Sequence, residues 1–199
     1  MGYRRDVDSR GGWTVVVPLK PASTGKSRLG AAESVVRELG VATVRAASAA
    51  AGVTAVVVVT ADPATAAALE RMPRVRVVRE AAPRGIGAAI ASGLAIVPLG
   101  VRRAVLLGDL PALAPAELSR ALASAARHPR GFVADAAGTG TTLVTANARV
   151  VWRSAFGRGS ASRHRALGLR ELRVPRRSSL RHDVDTPAQL ARATAAATI

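Results

Sequence analysis

A short run of β-branched apolar residues that ends at a cationic loop constrains the fold of this chain most strongly. The run spans residues 14–18, and the loop after it carries Lys20, Lys26, Ser27 and Arg28. A buried strand cannot carry charge, so the polar chemistry begins at the carboxyl end of a strand, where open α/β sheets bind their ligands. The loop supplies ammonium, guanidinium, hydroxyl and backbone N–H donors. This donor set predicts a polyanionic ligand such as a nucleoside triphosphate.

The residues of this loop argue against a P-loop of the Walker A type. That motif requires a glycine five residues before the glycine of its Gly-Lys-Ser sequence, and Lys20 occupies that position here. Pro21 also removes one backbone N–H from the phosphate cradle. A solvated turn whose lysines bind nothing is the alternative interpretation of the loop by itself.

Segments with strand character and segments with helix character alternate along the first two thirds of the chain. The run at 55–60 is continuously apolar, as expected for a strand that is covered on both faces. Strands are predicted at 14–18, 55–60, 75–78 and 104–107, and helices at 31–51, from 63, at 85–97 and at 115–127. This order predicts right-handed crossovers and a mostly parallel sheet with helices on both faces.

The pattern changes after Pro129, but no linker separates the two parts. Short strands are predicted at 132–135, 141–145 and 171–174, and helices at 160–169 and 187–197. Asp62 is predicted to cap the short helix that has Pro63 in its first turn. We therefore predict one α/β domain over residues 13–199, preceded by a mobile leader at residues 1–12.

The composition excludes several classes of function. The chain has no cysteine, which excludes disulfides, thiolate metal sites and a cysteine nucleophile. No apolar stretch approaches the ~18 residues that a membrane span needs, and the polar amino terminus does not resemble a signal peptide. We therefore expect a soluble, cytoplasmic protein.

The formal net charge of +16 raises the alternative of a basic nucleic-acid-binding protein without catalysis. Aromatic residues make up only 3% of the chain and are scattered, so they form no stacking platform for single strands. An anionic small substrate would benefit from the same positive field. Nucleic acid is therefore the less favoured partner, and we expect small-molecule substrates.

A single carboxylate follows the fourth predicted strand, in the sequence Leu107-Gly108-Asp109-Leu110-Pro111. The end of that strand should place Asp109 in the same crevice as the Lys20 loop. Magnesium usually takes one or two carboxylates beside substrate phosphates, so Asp109 is a candidate metal ligand. A turn-capping aspartate is the alternative.

Two further aspartates precede the last predicted helix. Asp183 and Asp185 stand at alternate positions of an extended segment and so point to the same side, which suits metal ions. Thr186 and Gln189 also form a capping box, with Pro187 at the first helical position. Capping explains Asp185 in part and leaves Asp183 unexplained.

Two glycine-rich segments offer further sites for anions. Residues 157–160 open a predicted helix, where free N–H groups and the helix dipole favour an anion, and the Ser160 hydroxyl adds a donor. Residues 138–142 form a hydroxyl-rich turn that enters a strand. We interpret His128 and His164 as surface residues and not as general bases. The combination of a cationic loop, three aspartates and two glycine loops predicts magnesium-dependent transfer of a nucleotidyl group.

These motifs resemble, in order, those of one enzyme family. They are Pro18-Leu19-Lys20 with Lys26-Ser27-Arg28-Leu29, Leu107-Gly108-Asp109-Leu110-Pro111, Gly138-Thr139-Gly140-Thr141-Thr142, Phe156-Gly157 through Ser160 and His164, and Asp183-Val184-Asp185-Thr186-Pro187. The sequence is similar, from about Thr14 to the final helix, to the CofC/FbiD guanylyltransferases of coenzyme F-420 biosynthesis. The resemblance implies a single-domain, Rossmann-like nucleotidyltransferase fold of the GT-A-like type.

The resemblance also implies roles for individual residues. It implies that Asp109, Asp183 and Asp185 hold magnesium, with two ions expected, and that Thr141 or Thr142, with Gly157 and Ser160, binds the acceptor acid. It implies nucleotide contacts from Leu19, Lys20, Lys26, Ser27, Arg28 and Gly85, with Asp109, Lys20 and Lys26 as the catalytic residues. The chain departs from the family at Gly85-Ile86-Gly87, where Gly-Leu-Asn is usual.

The implied reaction transfers GMP from GTP to a phosphorylated three-carbon acid and releases pyrophosphate. The Ala- and Arg-rich composition is typical of a high-GC bacterium, whose relatives favour phosphoenolpyruvate, so phosphoenolpyruvate is the expected acceptor. The alternatives are 2-phospho-L-lactate and 3-phosphoglycerate. The family also implies handover of an unstable product to the next pathway enzyme.

Overall fold

Seven strands form one sheet in the computed structural model, which describes residues 11–20 and 33–184. The strands are β1 (Trp13–Leu19), β2 (Val53–Thr60), β3 (Val75–Arg79), β4 (Arg102–Leu106), β5 (Arg130–Ala134), β6 (Thr141–Ala146) and β7 (Arg170–Glu171). Their order across the sheet is β3-β2-β1-β4-β6-β5-β7. Strand β6 runs antiparallel to β4 and to β5, and the other strand pairs are parallel. The prediction of a mostly parallel α/β sheet is confirmed.

Helices connect the strands as the sequence predicts. They are α1 (Glu33–Ala49), α2 (Pro63–Leu69), α3 (Ile86–Ala95), α4 (Pro115–Ala125) and α5 (Ser160–Ala166), with a 3₁₀ turn at Ser179–Arg181. The carboxylate of Asp62 accepts a hydrogen bond from the backbone N–H of Thr65 at 3.1 Å, which confirms Asp62 as the cap of α2. None of the helices within the described ranges is long and apolar enough to span a membrane.

Helices cover both faces of the sheet because the central strands are apolar on both sides. Val15 and Val17 of β1 pack with residues of α1 and α4, whereas Val16 packs with residues of α3. All three valines are fully buried. At the other end of the sheet, Phe132 of β5 packs with Ala161 of α5. The predicted layers are therefore confirmed.

Gly93 allows α3 to approach the sheet closely. A β-carbon at this position would lie 2.4 Å from Cγ1 of Val16 and 2.9 Å from Cγ2 of Val59. A glycine that lowers the helix propensity of this segment is thus required by packing against β1 and β2.

The structure differs from the sequence prediction near the carboxyl end. The strand predicted at 171–174 is instead the two-residue β7. After it, the N–H of Leu172 donates one further bond to the carbonyl of Phe132 at 2.8 Å, and the Leu172 side chain is buried in the core. The predicted helix at 160–169 ends at Ala166. Residues 1–10 of the predicted leader and the predicted helix at 187–197, with the capping box before it, lie outside the described residues.

Candidate active site

The carboxyl ends of the central strands β1 and β4 lie side by side. The side of the sheet on which these parallel strands end is its carboxyl edge. A β-carbon on Gly108 would lie 2.2 Å from Cδ2 of Leu19 and 3.1 Å from the carbonyl oxygen of Pro18, so any larger residue there would displace Leu19. Lys20 and Asp109 are the residues that follow this contact, Lys20 exposed and Asp109 half-buried. The structure therefore brings a cationic and an anionic side chain to the same edge, as the sequence predicts.

The second acidic segment meets this edge. The backbone N–H of Val184 donates a hydrogen bond to the carbonyl oxygen of Asp109 at 2.9 Å. Asp183, which is half-buried, consequently lies on the segment adjacent to Asp109, although the two residues are far apart in sequence. The predicted convergence of these two acidic segments is present in the fold.

The donor set at this edge suits magnesium. Residues 11–20 and 33–184 hold no group of three or more histidine, cysteine, aspartate or glutamate residues arranged for a metal ion. Asp109 and Asp183 supply two carboxylates, the hard oxygen ligands that magnesium takes beside substrate phosphates. Asp185, the third predicted ligand, lies outside the described residues. The assignment of all three as metal ligands stays a prediction.

Arg181 anchors the segment that carries Asp183. Its guanidinium Nη2 donates to the carbonyl oxygen of Asp135 at 2.7 Å, and its own carbonyl accepts from the N–H of Ala136 at 2.8 Å. These bonds fix the segment to the turn after β5. Nothing near Arg181 in sequence indicates its partner, so this role is visible only in the structure.

Glu117 of α4 holds the residues just before Arg181. Its Oε2 accepts hydrogen bonds from the Ser178 hydroxyl at 2.8 Å and from the backbone N–H of Ser179 at 2.7 Å, and also from the Ser179 hydroxyl. The pKa of Glu117 is lowered, and the hydrogen bond from the Ser179 hydroxyl is the largest cause. Partial burial acts in the opposite direction, but the bonds from Ser178 and from the Ser179 backbone add to the lowering and outweigh it. The ionised carboxylate therefore stabilises the 3₁₀ turn that leads to the acidic segment.

A bulge separates the two threonines that were predicted to bind the acceptor. Val133 of β5 pairs with Leu143 and Ala134 pairs with Thr141, so Thr142 has no partner residue on β5. The Thr142 hydroxyl donates to the carbonyl oxygen of Leu180 at 2.6 Å, whereas Thr141 Oγ1 lies 2.9 Å from a ring nitrogen of His164 in α5. β-Bulges commonly redirect a side chain next to a functional site. Thr141 is thus the threonine that faces α5.

Gly157 and Ser160 lie at the start of α5, close to the turn before β6. The N–H of Ser160 donates to the carbonyl of Gly157 at 3.0 Å, and the N–H of Ala161 donates to the carbonyl of Thr139 at 3.1 Å. The first two N–H groups of the helix are therefore paired within the chain, and the expectation of free donors at these two positions is wrong. Thr141, Gly157 and Ser160 are nevertheless brought together.

His164 is fully buried, so its interpretation as a surface residue is wrong. Its ring packs between Phe132 and Phe156, with ring centroids 5.6 and 5.3 Å away. Burial lowers the pKa of His164 to about 4, and the neighbouring Arg163 contributes. The sequence does carry a signal for this position: His164 lies three residues after Ala161 and so shares its buried helix face.

The structure describes some, but not all, of the residues that were predicted to bind the nucleotide. The side chain of Leu19 is buried in the core, so a nucleotide contact at this position would come from its backbone. Gly85 precedes the first residue of α3, after β3, and strands β1, β2 and β3 are parallel neighbours. Their carboxyl ends therefore share the edge on which Lys20 and Asp109 lie. Lys26, Ser27 and Arg28 lie outside the described residues.

The sequence matches the MobA-like NTP transferase domain over residues 36–176. A protein from Thermomonospora curvata is 45% identical over 194 residues, covering 94% of this chain and 85% of that protein. A protein from Streptomyces scabiei is 46% identical over 187 residues, covering 87% and 86% of the two chains. Both relatives are named phosphoenolpyruvate guanylyltransferase.

Solved structures show the same fold at low sequence identity. A nucleotidyl transferase from Methanothermobacter superposes with a TM-score of 0.64 at 22% identity, covering 91% of this chain and 95% of that chain. CMP:2-keto-3-deoxy-manno-octonic acid synthetase, complexed with CTP, superposes with a TM-score of 0.64 at 17% identity, covering 94% and 98%. The fold is therefore that of a single-domain nucleotidyltransferase.

Proposed function

This chain belongs to the MobA-like NTP transferase family, among the CofC/FbiD guanylyltransferases, and from that premise we propose that it transfers GMP from GTP to the phosphate of phosphoenolpyruvate. The observation that carries the proposal is the bond between Val184 and Asp109, which puts two acidic segments beside Lys20 at the carboxyl edge of the sheet. The name of the relatives supplies the acceptor and the nucleotide.

The chemistry needs no general base from the protein. A phosphate oxygen of the acceptor attacks the α-phosphorus of GTP and forms a new P–O bond. The bond from the α-phosphorus to the bridging oxygen breaks, and its electron pair leaves with pyrophosphate. Because the second pKa of a phosphate monoester is ~6, the attacking oxygen is already deprotonated at neutral pH. His164 accordingly serves no proton transfer, since both its ring nitrogens are engaged inside the fold.

The main obstacle is repulsion between two anionic substrates. We assign Asp109, Asp183 and Asp185 to magnesium, which when bound supplies positive charge to the attacking and leaving oxygens. Lys20 follows the neighbouring strand β1, is exposed, and adds an ammonium group on the nucleotide side. Losing one such stabilising contact typically raises the barrier by on the order of 3–4 kcal/mol.

The two substrates are assigned to opposite sides of this edge. On the nucleotide side, the Lys20 loop with Lys26, Ser27 and Arg28 binds the triphosphate, and Gly85 lies at the nucleoside. On the acceptor side, the Thr141 hydroxyl, Gly157 and the Ser160 hydroxyl bind the acid. Thr142 is left out of the acceptor site, because its hydroxyl proton is donated to the carbonyl of Leu180.

The test is a product assay on the purified chain with GTP, magnesium and one acid at a time. We expect pyrophosphate and a guanylylated acid in equal amounts, fastest with phosphoenolpyruvate and slower with 2-phospho-L-lactate or 3-phosphoglycerate. No pyrophosphate is expected without an acid or after chelation of magnesium. Release of GDP in place of pyrophosphate would identify a kinase, and absence of turnover with all three acids would overturn the proposal.

We place this reaction in the cytoplasm, in the biosynthesis of coenzyme F-420. Its product joins an enol phosphate to GMP through a phosphoanhydride, and we propose that this unstable compound passes to the next enzyme of the pathway. Loss of the coenzyme in a deletion strain, restored by the wild-type chain and not by an Asp109→Asn chain, is the expected result.

A further inference from the structure

The hydrogen bonds of His164 determine which of its ring nitrogens carries the proton. The backbone N–H of Ala155 points at Nε2 at 2.8 Å, and a backbone N–H can only donate. Nε2 is therefore the unprotonated acceptor. In the neutral ring the hydrogen then resides on Nδ1, which lies 2.9 Å from Oγ1 of Thr141 and donates to it.

This tautomer in turn orients the hydroxyl of Thr141. The hydroxyl has one proton and accepts from His164, so its own O–H must point away from the imidazole ring. Within the described part of the chain, the only hydrogen bond of this hydroxyl is the one to His164. Thr141 is buried, and no acceptor within the described part of the chain takes its proton, so the hydroxyl is a hydrogen-bond donor that the fold itself does not use.

His164 also connects the elements that form the acceptor side. His164 lies one turn after Ser160 on α5. Its ring accepts a hydrogen bond from the backbone N–H of Ala155, two residues before Gly157, and donates one to the hydroxyl of Thr141, the first residue of β6. The ring of Phe156 packs edge-on against it. One buried side chain therefore holds Thr141, the Gly157 loop and Ser160 in a fixed arrangement.

We propose that His164 is a positioning residue for the acceptor acid: it holds the Thr141 hydroxyl as a hydrogen-bond donor to the anionic substrate and fixes the Gly157 loop beside Ser160. It acts through Thr141 and transfers no proton. The inference rests on the proposed function, because it assumes that Thr141 contacts the acid.

Two substitutions separate the two hydrogen bonds of His164. In His164→Asn, the amide nitrogen can occupy the position of Nδ1 and donate to Thr141, while the bond to Ala155 is lost. In His164→Phe, the ring between Phe132 and Phe156 is retained and both bonds are lost. His128→Phe is the matched control, since the bonds of His128 to α4 and Asn147 use its backbone.

The readout is the Michaelis constant for each substrate separately. We expect His164→Phe to raise the KM for phosphoenolpyruvate at least tenfold and to leave the KM for GTP within twofold of wild type. His164→Asn should recover most of that loss, and His128→Phe should match wild type. An equal rise in both constants, or unchanged constants, would overturn the inference.

A double substitution tests whether the effect passes through Thr141. Thr141→Val should raise the KM for phosphoenolpyruvate, and adding His164→Phe should raise it by less than threefold more. If the fold-changes in KM of the two single variants multiplied in the double variant, the result would contradict action through Thr141. If His164→Phe does not fold, His164→Leu in both Thr141 backgrounds gives the same comparison, because leucine is also apolar and lacks both hydrogen bonds. A wild-type chain that is inactive with all three acids refutes the proposed function itself, whereas an active wild type without the split in KM refutes only the role of His164.

Discussion

The buried imidazole of His164 makes protein stability depend on pH. Its folded-state pKa of about 4 lies below the ordinary value of 6.5, so the unfolded chain takes up a proton first as pH falls. The contribution is fully present above pH 6.5 and is lost progressively toward pH 4, amounting to on the order of 3 kcal/mol at 1.36 kcal/mol per pKa unit.

Urea unfolding of wild type and His164→Asn between pH 7.5 and pH 4.5 measures this contribution. We expect the variant to be less stable at pH 7.5 and the difference to shrink steadily as the pH falls, since asparagine does not titrate. All other titrating groups are common to both chains and cancel in the difference. Two parallel stability curves would contradict a buried neutral imidazole.

The carboxylates at the edge of the sheet are expected to serve activity and not stability. Asp109→Asn and Asp183→Asn keep the side-chain shape and remove the charge, so pyrophosphate release should fall by about 10²–10³-fold. Thermal unfolding should change little. Glu171→Gln is the control, because Glu171 forms an exposed ion pair with Arg165 and should retain activity. Near-wild-type turnover in both aspartate variants would remove them from the metal site.

At the scale of elements, the packing of α3 depends on one glycine. Alanine favours helix over glycine by up to about 1 kcal/mol, but at Gly93 the added methyl would overlap Val16 and Val59. We expect Gly93→Ala to destabilise the protein by about 1–3 kcal/mol through overpacking. Gly87→Ala is the matched control on the same helix, since its β-carbon would meet no atom within 4 Å, and it should be neutral or slightly stabilising. The measurement is chemical unfolding of both variants, and equal effects would contradict the packing argument.

The link between α4 and the 3₁₀ turn depends on the ionised state of Glu117. Glu117→Ala removes the acceptor for Ser178 and Ser179, and we expect a loss of about 1–3 kcal/mol at pH 7. Because the folded-state pKa of Glu117 lies below its ordinary value of 4.5, the wild-type contribution is present above that value and is lost as the pH falls through the lowered one. The difference between the two chains in urea unfolding should therefore be smaller at pH 3.5 than at pH 7.

Most elements could be predicted because their signals are local. The continuous apolar run of β2 and the Asp62 cap of α2 depend on neighbouring residues alone. The reversed direction of β6, the bulge at Thr142 and the shortness of β7 depend on pairing with distant strands. Residue periodicity carries no information on such pairing, so these features required the structure.

At the scale of the whole molecule, the same distinction holds for the site. The meeting of the Asp109 and Asp183 segments could be expected from the resemblance of their motifs to those of one family, although Asp109 follows β4 and Asp183 follows the 3₁₀ turn. The burial of His164 and the anchoring by Arg181 could not, since each depends on residues that are distant in sequence. The sequence thus predicts which segments meet at the carboxyl ends of the strands better than it predicts the contacts that hold these segments in place.

The net positive charge of the chain predicts that its activity depends on salt concentration. The same measurements distinguish an enzyme from a nucleic-acid-binding protein. With a net charge of +16, the protein should attract GTP over a range set by the Debye length, about 10 Å at 0.1 M salt. We expect kcat/KM for GTP to fall several-fold between 50 and 300 mM KCl, while kcat at saturating substrates changes little. Because the arginines are spread over the chain, duplex DNA added at micromolar concentration should inhibit turnover weakly. Strong inhibition by DNA would contradict this prediction, if the DNA-binding constant also fell by about 10³-fold or more over the same salt range. The positive charge would then serve to bind nucleic acid and not small anionic substrates.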